Sequence, residues 1–584
     1  MDSEAASTKV PSMAPSENDL NEKTAATTSS RRSSTEAGPE LENIRTTASK
    51  EGRSDVAPIE QTISQQRRSN EAGKEYPTGL KLAIIIIGLE LAVLCVALDN
   101  TIIATAIPRI SDDFHALNDV GWYGSAYLLT VSAFQLFFGR LYTIFNIKWI
   151  FLLALFIFEI GSLICGVAPS STVLIVGRAI AGLGASGLFS GALIILAHNT
   201  PLEKRPLYTG IITAVYGIAS VVGPLLGGVF TDHVTWRWCF YINLPLGGVT
   251  AVALLFFLNS PPQGPKVTRT WRETIAIFDP VGTVLFLPCI ICLLLALQWG
   301  GTTYPWSDGR IIALFVVFGI LMFAFIGVQF WAGDNATVPL RIAKQRSIAF
   351  GCLFAVCIGA SFFIMVYYVP IWFQAIRGAS AMHSGIDTLP MLIAVTLASI
   401  FAGGTVSMMG YYTPFMFAFV VVGSIGAGLI TTWTTDTSSG KWIGYQILYG
   451  WGIGMGLQQT LVAAQTVLPL ADVPTGTALI VFAQMFGGAL FVSVAENTFT
   501  NNLVSGLEGI RGIDPKAVVR MGATQIGSLI KDPGVLHTVQ VVYNDALMKA
   551  FQVALIMSCL CLFGAAGMEW KSVKSKKTEA APPA

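Results

Sequence analysis

The chain carries little charge. Only 12% of its 584 residues are Asp, Glu, Lys or Arg, while 53% are hydrophobic, and soluble domains typically have about 25% charged residues. A segment that spans a bilayer needs about 20 predominantly apolar residues, and about fourteen such segments follow one another from Leu80 onward. The composition therefore predicts an all-α, polytopic membrane protein surrounded by the lipid bilayer.

Several sequence signatures are missing. The chain has no Gly-x4-Gly-Lys-Ser/Thr phosphate loop, and its five histidines never occur as His-Glu-x-x-His. Its nine cysteines lie in or beside apolar runs, and Cys289-x-x-Cys292 has no partner pair that would suggest zinc. These absences argue against an ATP-driven pump and an intramembrane metalloprotease. We therefore predict no enzyme activity, no metal site, no cofactor and no nucleic-acid partner.

The first 79 residues differ in composition from the rest. Ser, Thr, Glu, Ala and Arg predominate there and large apolar side chains are few, which predicts a disordered tail. No apolar run lies near the start, so we expect the first span, rather than a cleaved signal peptide, to direct insertion. Lys and Arg are concentrated in the connections on the side of this tail. This bias predicts that both termini face the cytosol.

Charged side chains at bilayer depth each cost roughly 2.5–3.5 kcal/mol on insertion scales, so each requires a reason. Glu90 and Asp99 lie in the first span, and Glu159 lies in the third. Because Glu90 and Asp99 are about half a turn out of phase, they cannot both face one cavity directly. Glu159 has two open interpretations: a second proton or cation site that faces the cavity, or a protonated packing residue.

The fifth apolar segment is rich in small residues. Gly217, Ser220, Pro224 and the pair Gly227/Gly228 fall on one predicted stripe, along which another backbone can approach closely. Pro224 removes one backbone hydrogen bond and predicts a bend. The stripe is compatible with a surface on which another bundle rocks, and equally with ordinary close packing.

Several stretches together resemble one known family. Gly223-Pro224-Leu225-Leu226-Gly227-Gly228 resembles the antiporter motif of the major facilitator superfamily. The stretches LDNTIIATAIP, which contains Asp99, and GRAIAGLGASG, which contains Arg178, resemble its first-helix and fourth-helix motifs. The sequence looks most similar to the fourteen-helix drug:proton antiporter branch, especially to fungal efflux carriers for toxins and secondary metabolites.

The resemblance implies the major facilitator fold, with two six-helix bundles and two inserted central helices. The predicted organisation is a cytosolic tail at 1–79, an N-terminal bundle at 80–258, a linker with the inserted pair at 259–347, a C-terminal bundle at 348–568 and a cytosolic tail at 569–584. The C-terminal bundle includes a long outer loop at 496–545. Within that loop, Asp532-Pro533 predicts the start of a helix, with aspartate as the N-cap.

By resemblance, proton coupling is assigned to Asp99 and Arg178. Glu159 and Glu90 are further candidates from their position in the spans and not from a motif. Counted at 1.5 Å per residue, Asp99 and Arg178 lie about 13 Å and 7 Å from the outer ends of their helices, an offset that an arginine can bridge. Protonation of Asp99 would then weaken the attraction between them. A permanent structural ion pair is the alternative. The residues Gly217, Gly223, Pro224, Gly227 and Gly228 take the role of the antiporter motif.

The loop between the second and third spans departs from the family pattern. Gly139, Arg140 and Lys148 fit its cytosolic gate motif, but the usual aspartate is Thr143 and the second glycine is Asn146. The acidic half of the charged gate is therefore missing. We expect a gate held by hydrogen bonds at helix ends and by Lys148.

Amide and phenol side chains within aromatic spans suit large, moderately polar organic compounds. Any one of them could instead only bridge two helices. The predicted cavity residues are Gln135, Tyr367, Tyr368, Gln374, Gln458, Gln459 and Gln484.

The resemblance, together with these residues, implies a monomeric, proton-coupled efflux transporter for hydrophobic or amphipathic small molecules, powered by the proton gradient and working by alternating access. The plasma membrane is favoured, with the vacuolar membrane as the alternative. Two other functions stay open: a carrier of siderophores or other metal chelates, and a transporter-like sensor that does not transport. The sequence does not specify the substrate.

Overall fold

The computed structural model describes residues 76–116, 119–259, 278–301, 304–508, 510, 514, 515, 518 and 532–574. The predicted tails at 1–79 and 569–584 lie mostly outside these residues. Part of the predicted linker and the middle of the predicted outer loop lie outside them as well.

The described chain is built from long α-helices. Their length follows from uninterrupted apolar sequence with Gly or Pro close to several of the ends. In chain order they are α1 (Gly79–Phe114), α2 (Val120–Ile144), α3 (Ile147–Val167), α4 (Ser171–Asn199), α5 (Arg205–His233), α6 (Asn243–Phe257), α7 (Pro280–Trp299), α8 (Gly309–Ala332), α9 (Arg346–Arg377), α10 (Leu389–Met409), α11 (Thr413–Ile430), α12 (Ser439–Gly456), α13 (Val473–Leu507) and α14 (Pro533–Gly567).

Shorter helices lie between them. They are Leu202–Lys204, Trp238–Tyr241, Gly333–Asn335, Leu340–Ala343, Ala381–Asp387 and Gln459–Val467. The last of these follows α12 after a break at Leu457 and Gln458, so the twelfth long helix is discontinuous.

Twelve helices of the described chain are long and apolar enough to cross a membrane. Two others, α2 and α12, have 25 and 18 residues but contain more polar side chains and glycine. The structure thus confirms an all-helical polytopic protein. The count of about fourteen spans, which includes α2 and α12, stays a prediction.

Two large hydrophobic cores hold the helices together. One contains only buried residues between Phe354 and Val573. The other is centred on α1 to α4, and it also takes in Ile480, Val481 and other buried residues of the later chain. The N-terminal helices are therefore packed directly against α13.

The ends of α13 and α14 reach into the predicted outer loop at 496–545. Helix α13 continues to Leu507, and α14 begins at Pro533. The side chain of Asp532 accepts a hydrogen bond from the backbone nitrogen of Gly534, at 2.8 Å, and so caps α14. The N-cap predicted from Asp532-Pro533 is confirmed.

Candidate functional site

A buried ion pair joins α1 to α4. Arg178 Nη1 lies 2.5 Å from Asp99 Oδ2, and both side chains are 0% exposed. The contact between Asp99 and Arg178 that the sequence predicts from their depths in the two helices is therefore present. Because removing two charges from water is expensive, the pair is retained in the interior only with close geometry and further hydrogen bonds.

Two more helices, α2 and α6, provide those hydrogen bonds, and α3 holds the α6 donor in place. Asn243 Nδ2, at the start of α6, donates to Asp99 Oδ1 at 3.2 Å and to Ser162 Oγ of α3 at 3.1 Å. Arg178 Nε donates to the carbonyl oxygen of Tyr123 in α2 at 2.8 Å. The guanidinium carbon also lies 4.4 Å from the centre of the Tyr127 ring, which adds a cation–π attraction.

Sequence reasoning missed Asn243 and Ser162. The available signal was the single amide in the apolar stretch CFYINLPLGG, because a buried amide needs hydrogen-bond partners. Its partner could not be identified without the packing of α1 against α6.

Two polar atoms beside the pair have no hydrogen-bond partner among the described residues. They are Arg178 Nη2 and Asn243 Oδ1, one donor and one acceptor. The group around Asp99 therefore has capacity for an additional hydrogen bond of either kind when its protonation changes.

The other two intramembrane carboxylates lie elsewhere. Glu159 rests against α6, where a Cβ added at Gly247 would fall 1.7 Å from Glu159 Oε1. Glycine at position 247 therefore makes room for this carboxyl group. The carboxylate oxygens of Glu90 and Glu159 are buried and accept no hydrogen bond from the part of the chain that is described. Neither residue lines the two cavities described below.

The glycines of α5 are divided between two neighbours. A Cβ at Gly223 would lie 2.2 Å from Thr101 Oγ1, and one at Gly227 would lie 2.5 Å from the carbonyl oxygen of Ile102, both in α1. A Cβ at Gly217 would instead meet Thr396 Oγ1 of α10 at 2.2 Å, and Gly228 has nothing within 4 Å. At about 100° per residue, Gly223 and Gly227 share one face of the helix, whereas Gly217 and Gly228 lie on another.

Helix α5 also contacts α10 nearer to its first residue. A Cβ at Gly210 would lie 2.6 Å from the carbonyl oxygen of Ser399, and one at Gly403 would lie 2.4 Å from that of Pro206. Helix α5 is thus packed on α1 near its end and on α10 near its beginning. Pro224 lies within the helix, between Gly223 and Gly227 in the region packed on α1.

The predicted gate residues contact different parts of the molecule. At the end of α2, a Cβ at Gly139 would lie 2.3 Å from Ala478 Cβ of α13. Thr143 Oγ1 lies 3.1 Å from Thr475 Oγ1, so a hydroxyl pair occupies the position of the usual aspartate. Lys148 lies elsewhere: its Nζ donates to the carbonyl oxygens of Leu255 and Leu258, at 2.7 and 2.9 Å, and so caps α6.

Charged side chains from three segments meet at this end of the molecule: the end of α2, the segment before α9 and the residue before α13. Arg140 Nη2 donates to the backbone carbonyl oxygen of Asp334 at 3.4 Å. Arg341 pairs with Asp334 at 3.0 Å, and its two terminal nitrogens contact both carboxylate oxygens of Asp472. The hydrogen bond to Asp472 raises the pKa of Arg341. The segment before α9 is therefore joined by ion pairs to the start of α13.

Two adjoining cavities lie between the earlier and the later helices. Together with the open space at their mouths, they contain about 520 and 420 Å³ that no protein atom occupies. Phe189, Tyr216, Phe363 and Met485 line both cavities. Of the predicted cavity residues, Gln484 lines the first and Gln135 lines the second.

The remaining predicted cavity residues line neither cavity. Tyr367 is 59% exposed, and Tyr368 belongs to the C-terminal core. Gln374 donates to Ser384 Oγ at 2.9 Å. Gln458 donates to the carbonyl oxygen of Ser399, and Gln459 to that of Met455, each at 2.8 Å, so both satisfy carbonyl groups near the break after α12.

Comparison with known sequences identifies the relatives of this chain. The family description "Major Facilitator Superfamily" matches residues 89–492. The MFS-type transporter phomT of Diaporthe leptostromiformis is 60% identical over 91% of this chain and 90% of its own length. The efflux pump aflT of Aspergillus parasiticus is 57% identical over 86% of this chain and 98% of its own length.

Solved structures agree at the level of the fold. A double-tryptophan variant of XylE aligns with a TM-score of 0.55 at 14% identity, covering 85% of this chain and 97% of XylE. The human organic anion transporter MFSD10 aligns with a TM-score of 0.53 at 12% identity, covering 82% of this chain and 100% of its own.

Proposed function

Since this chain belongs to the Major Facilitator Superfamily, we propose that it is an efflux transporter that exchanges hydrophobic or amphipathic small molecules for protons by alternating access. The cargo would be toxins, secondary metabolites or drugs. One relative, the efflux pump aflT, supports the direction of transport by its name. We assign the protein to the plasma membrane as a monomer, with fourteen spans and both termini in the cytosol.

The observation that carries this proposal is the buried pair Asp99–Arg178 beside the cavity. Asp99 is the one carboxylate of α1 that contacts a cation inside the bundle, and the next residue, Asn100, lines the second cavity. A proton bound to Asp99 removes the charge that Arg178 faces. Glu90 and Glu159 are additional sites where a proton could reside within the same bundle.

The hydrogen bonds around Asp99 provide a way for protonation to change the structure. Ionised Asp99 accepts from Arg178 and from the amide of Asn243. Neutral Asp99 has an O–H to donate, and Asn243 Oδ1 is an acceptor with no partner among the described residues. A rotation of that amide would stabilise the neutral acid and release Arg178 from part of its attraction.

The packing of α5 connects this change to the rest of the molecule. Helix α1 touches α5 at Gly223 and Gly227, and α5 touches α10 at Gly210 and Gly217. Because close-packed helices do not deform continuously, a shift of α1 is passed to α5 and then to the later half of the chain. This is the movement that would open one side of the cavity and close the other.

Inverted plasma-membrane vesicles test the proposal. An acid-inside gradient should drive uptake of an aromatic dye by the wild type, and Asp99→Asn should abolish this uptake. Asp112→Asn is the matched control, because Asp112 is an exposed carboxylate of the same helix. Equilibration that ignores the gradient in all three proteins would show a facilitator or a sensor and refute proton antiport.

A further inference from the structure

The two cavities form one composite site, because four side chains form walls of both. Phe189 and Tyr216 come from the earlier helices, and Phe363 and Met485 come from the later ones. Aromatic rings and a thioether offer broad apolar contact to a flat ring system.

No Asp, Glu, Lys, Arg or His side chain lines this composite site among the described residues. Asp99 precedes Asn100, which lines the site, and Arg178 lies over the ring of the lining residue Tyr127, but both charged side chains are 0% exposed and they neutralise each other. A permanently charged ligand would therefore lose its hydration without gaining a countercharge, which costs several kcal/mol.

Cation–π attraction to the aromatic side chains of the site does not compensate a charged ligand for its lost hydration. A cation over an aromatic ring gains about 0.5–1 kcal/mol at exposed sites and about 2 kcal/mol or more when desolvated. That gain is smaller than the cost of burying an unpaired ion. The composite site should therefore favour uncharged ligands.

Three amide side chains line the site, Asn100, Gln135 and Gln484, and Gln135 is the one with a buried atom that lacks a hydrogen-bond partner among the described residues. Gln135 is 1% exposed, and its Nε2 has no hydrogen-bond partner among the described residues. Two neighbouring hydroxyl groups are already engaged: Tyr127 donates to the carbonyl oxygen of Val96, and Thr213 to that of Thr209. A buried amide donor left unpaired costs about 1–3 kcal/mol, so an acceptor on the ligand would be favourable.

We infer that the composite site selects uncharged aromatic compounds that carry a hydrogen-bond acceptor, and that Gln135 Nε2 recognises this acceptor. The inference rests on the proposed function only in taking the site as the place where cargo binds. A carbonyl or phenolic oxygen on a fused ring system is the chemistry that fits.

Three tricyclic probes of similar size distinguish the effect of ligand charge on binding from the effect of a hydrogen-bond acceptor on the ligand. N-methylacridone is neutral with a carbonyl acceptor, N-methylacridan is neutral without one, and N-methylacridinium is a permanent cation. Their binding is measured by fluorescence with the purified, full-length protein in lipid nanodiscs. We expect the acridone to bind about tenfold more tightly than either of the others, equivalent to about 1.4 kcal/mol.

The variant Gln135→Met keeps the length of the side chain and removes the amide. It should weaken acridone binding about tenfold while leaving acridan binding unchanged. Gln552→Met is the control, because Gln552 is an exposed amide on α14. The three-probe comparison on the wild type tests the inference even if Gln135→Met does not fold.

Equal or tighter binding of the acridinium would overturn the inference, as would a complete lack of acridone binding. An equal loss for all probes in Gln135→Met would show a structural role only and refute recognition by Gln135. Failure of the proposed function looks different: the acridone would bind as expected, but gradient-driven uptake into vesicles would be absent.

Discussion

At the residue scale, the energetics of the protein are concentrated at Asp99 and Arg178. Each is fully buried, and each neutralises the other at 2.5 Å. A buried pair of this kind adds little net stability compared with apolar residues of similar volume, but losing one partner leaves an uncompensated charge. This asymmetry can be measured.

Asp99→Asn should lower the free energy of unfolding by about 3–5 kcal/mol, because Arg178 then remains charged and unpaired. The double variant Asp99→Leu/Arg178→Met should recover wild-type stability without recovering gradient-driven transport. Unfolding in detergent, followed by tryptophan fluorescence, measures both effects.

Arg109→Gln provides the comparison, since Arg109 and Asp113 form an exposed pair at 3.8 Å. Breaking this pair should cost less than about 1 kcal/mol. A double variant at positions 99 and 178 that stays as unstable as Asp99→Asn would show that the pair itself stabilises the fold, contrary to this interpretation.

At the element scale, α5 is the helix through which a change at the ion pair reaches the other half. Its adjacent glycines, Gly227 and Gly228, have different surroundings: one faces the backbone of α1, and the other faces nothing within 4 Å. The same residue type therefore has two roles at neighbouring positions.

Gly227→Ala should impair both stability and transport, because its methyl group would lie 2.3 Å from Thr105 Oγ1 and 2.5 Å from the carbonyl oxygen of Ile102. Gly228→Ala should be neutral or stabilising by up to about 1 kcal/mol, since alanine favours a helix over glycine. Thermal unfolding and vesicle uptake of the two variants test this. Equal damage at both positions would contradict the packing described for α5.

The division of the α5 glycines also shows where sequence reasoning stops. Apolar length predicted the helices, and the N-cap at Asp532 was readable because capping is local. The neighbour that each glycine faces depends on the register between helices, which one sequence does not contain. For the same reason the contact between Asp99 and Arg178 could be anticipated from depth and charge, whereas Asn243 and Ser162 were missed.

The predicted cavity shows the same limit. Gln135 and Gln484 line the cavities, but Gln458 and Gln459 satisfy carbonyl groups near a helix break instead. A glutamine in an apolar span signals only that its amide has a partner or a ligand. Which of the two applies is decided by tertiary packing.

At the scale of the whole molecule, the two halves meet at the ends of α2 and α13. Ala478 approaches Gly139, and Thr143 and Thr475 share a hydroxyl contact. This is the end that the predicted topology places in the cytosol. Alternating access requires the contact to open during each cycle.

The double variant Thr143→Cys/Thr475→Cys, in a background without the native cysteines, tests this requirement. The two hydroxyl oxygens are 3.1 Å apart, so the replacing thiols should form a disulfide. Oxidation should stop transport, and reduction should restore it, while Thr143→Cys alone should be insensitive to oxidant. Full transport by the cross-linked protein would show that this contact does not open.

The central claim is that protonation of Asp99, which is ionised in the pair with Arg178, drives the exchange of substrate for protons. The pH dependence of substrate binding tests it most directly. Purified protein is titrated with N-methylacridone at decreasing pH, and binding is followed by fluorescence. The affinity of the wild type and of Asp112→Asn should fall on acidification, because Asp99 becomes protonated, whereas the affinity of Asp99→Asn should not change with pH. A pH-independent affinity in the wild type, or an undiminished pH dependence in Asp99→Asn, would contradict the account.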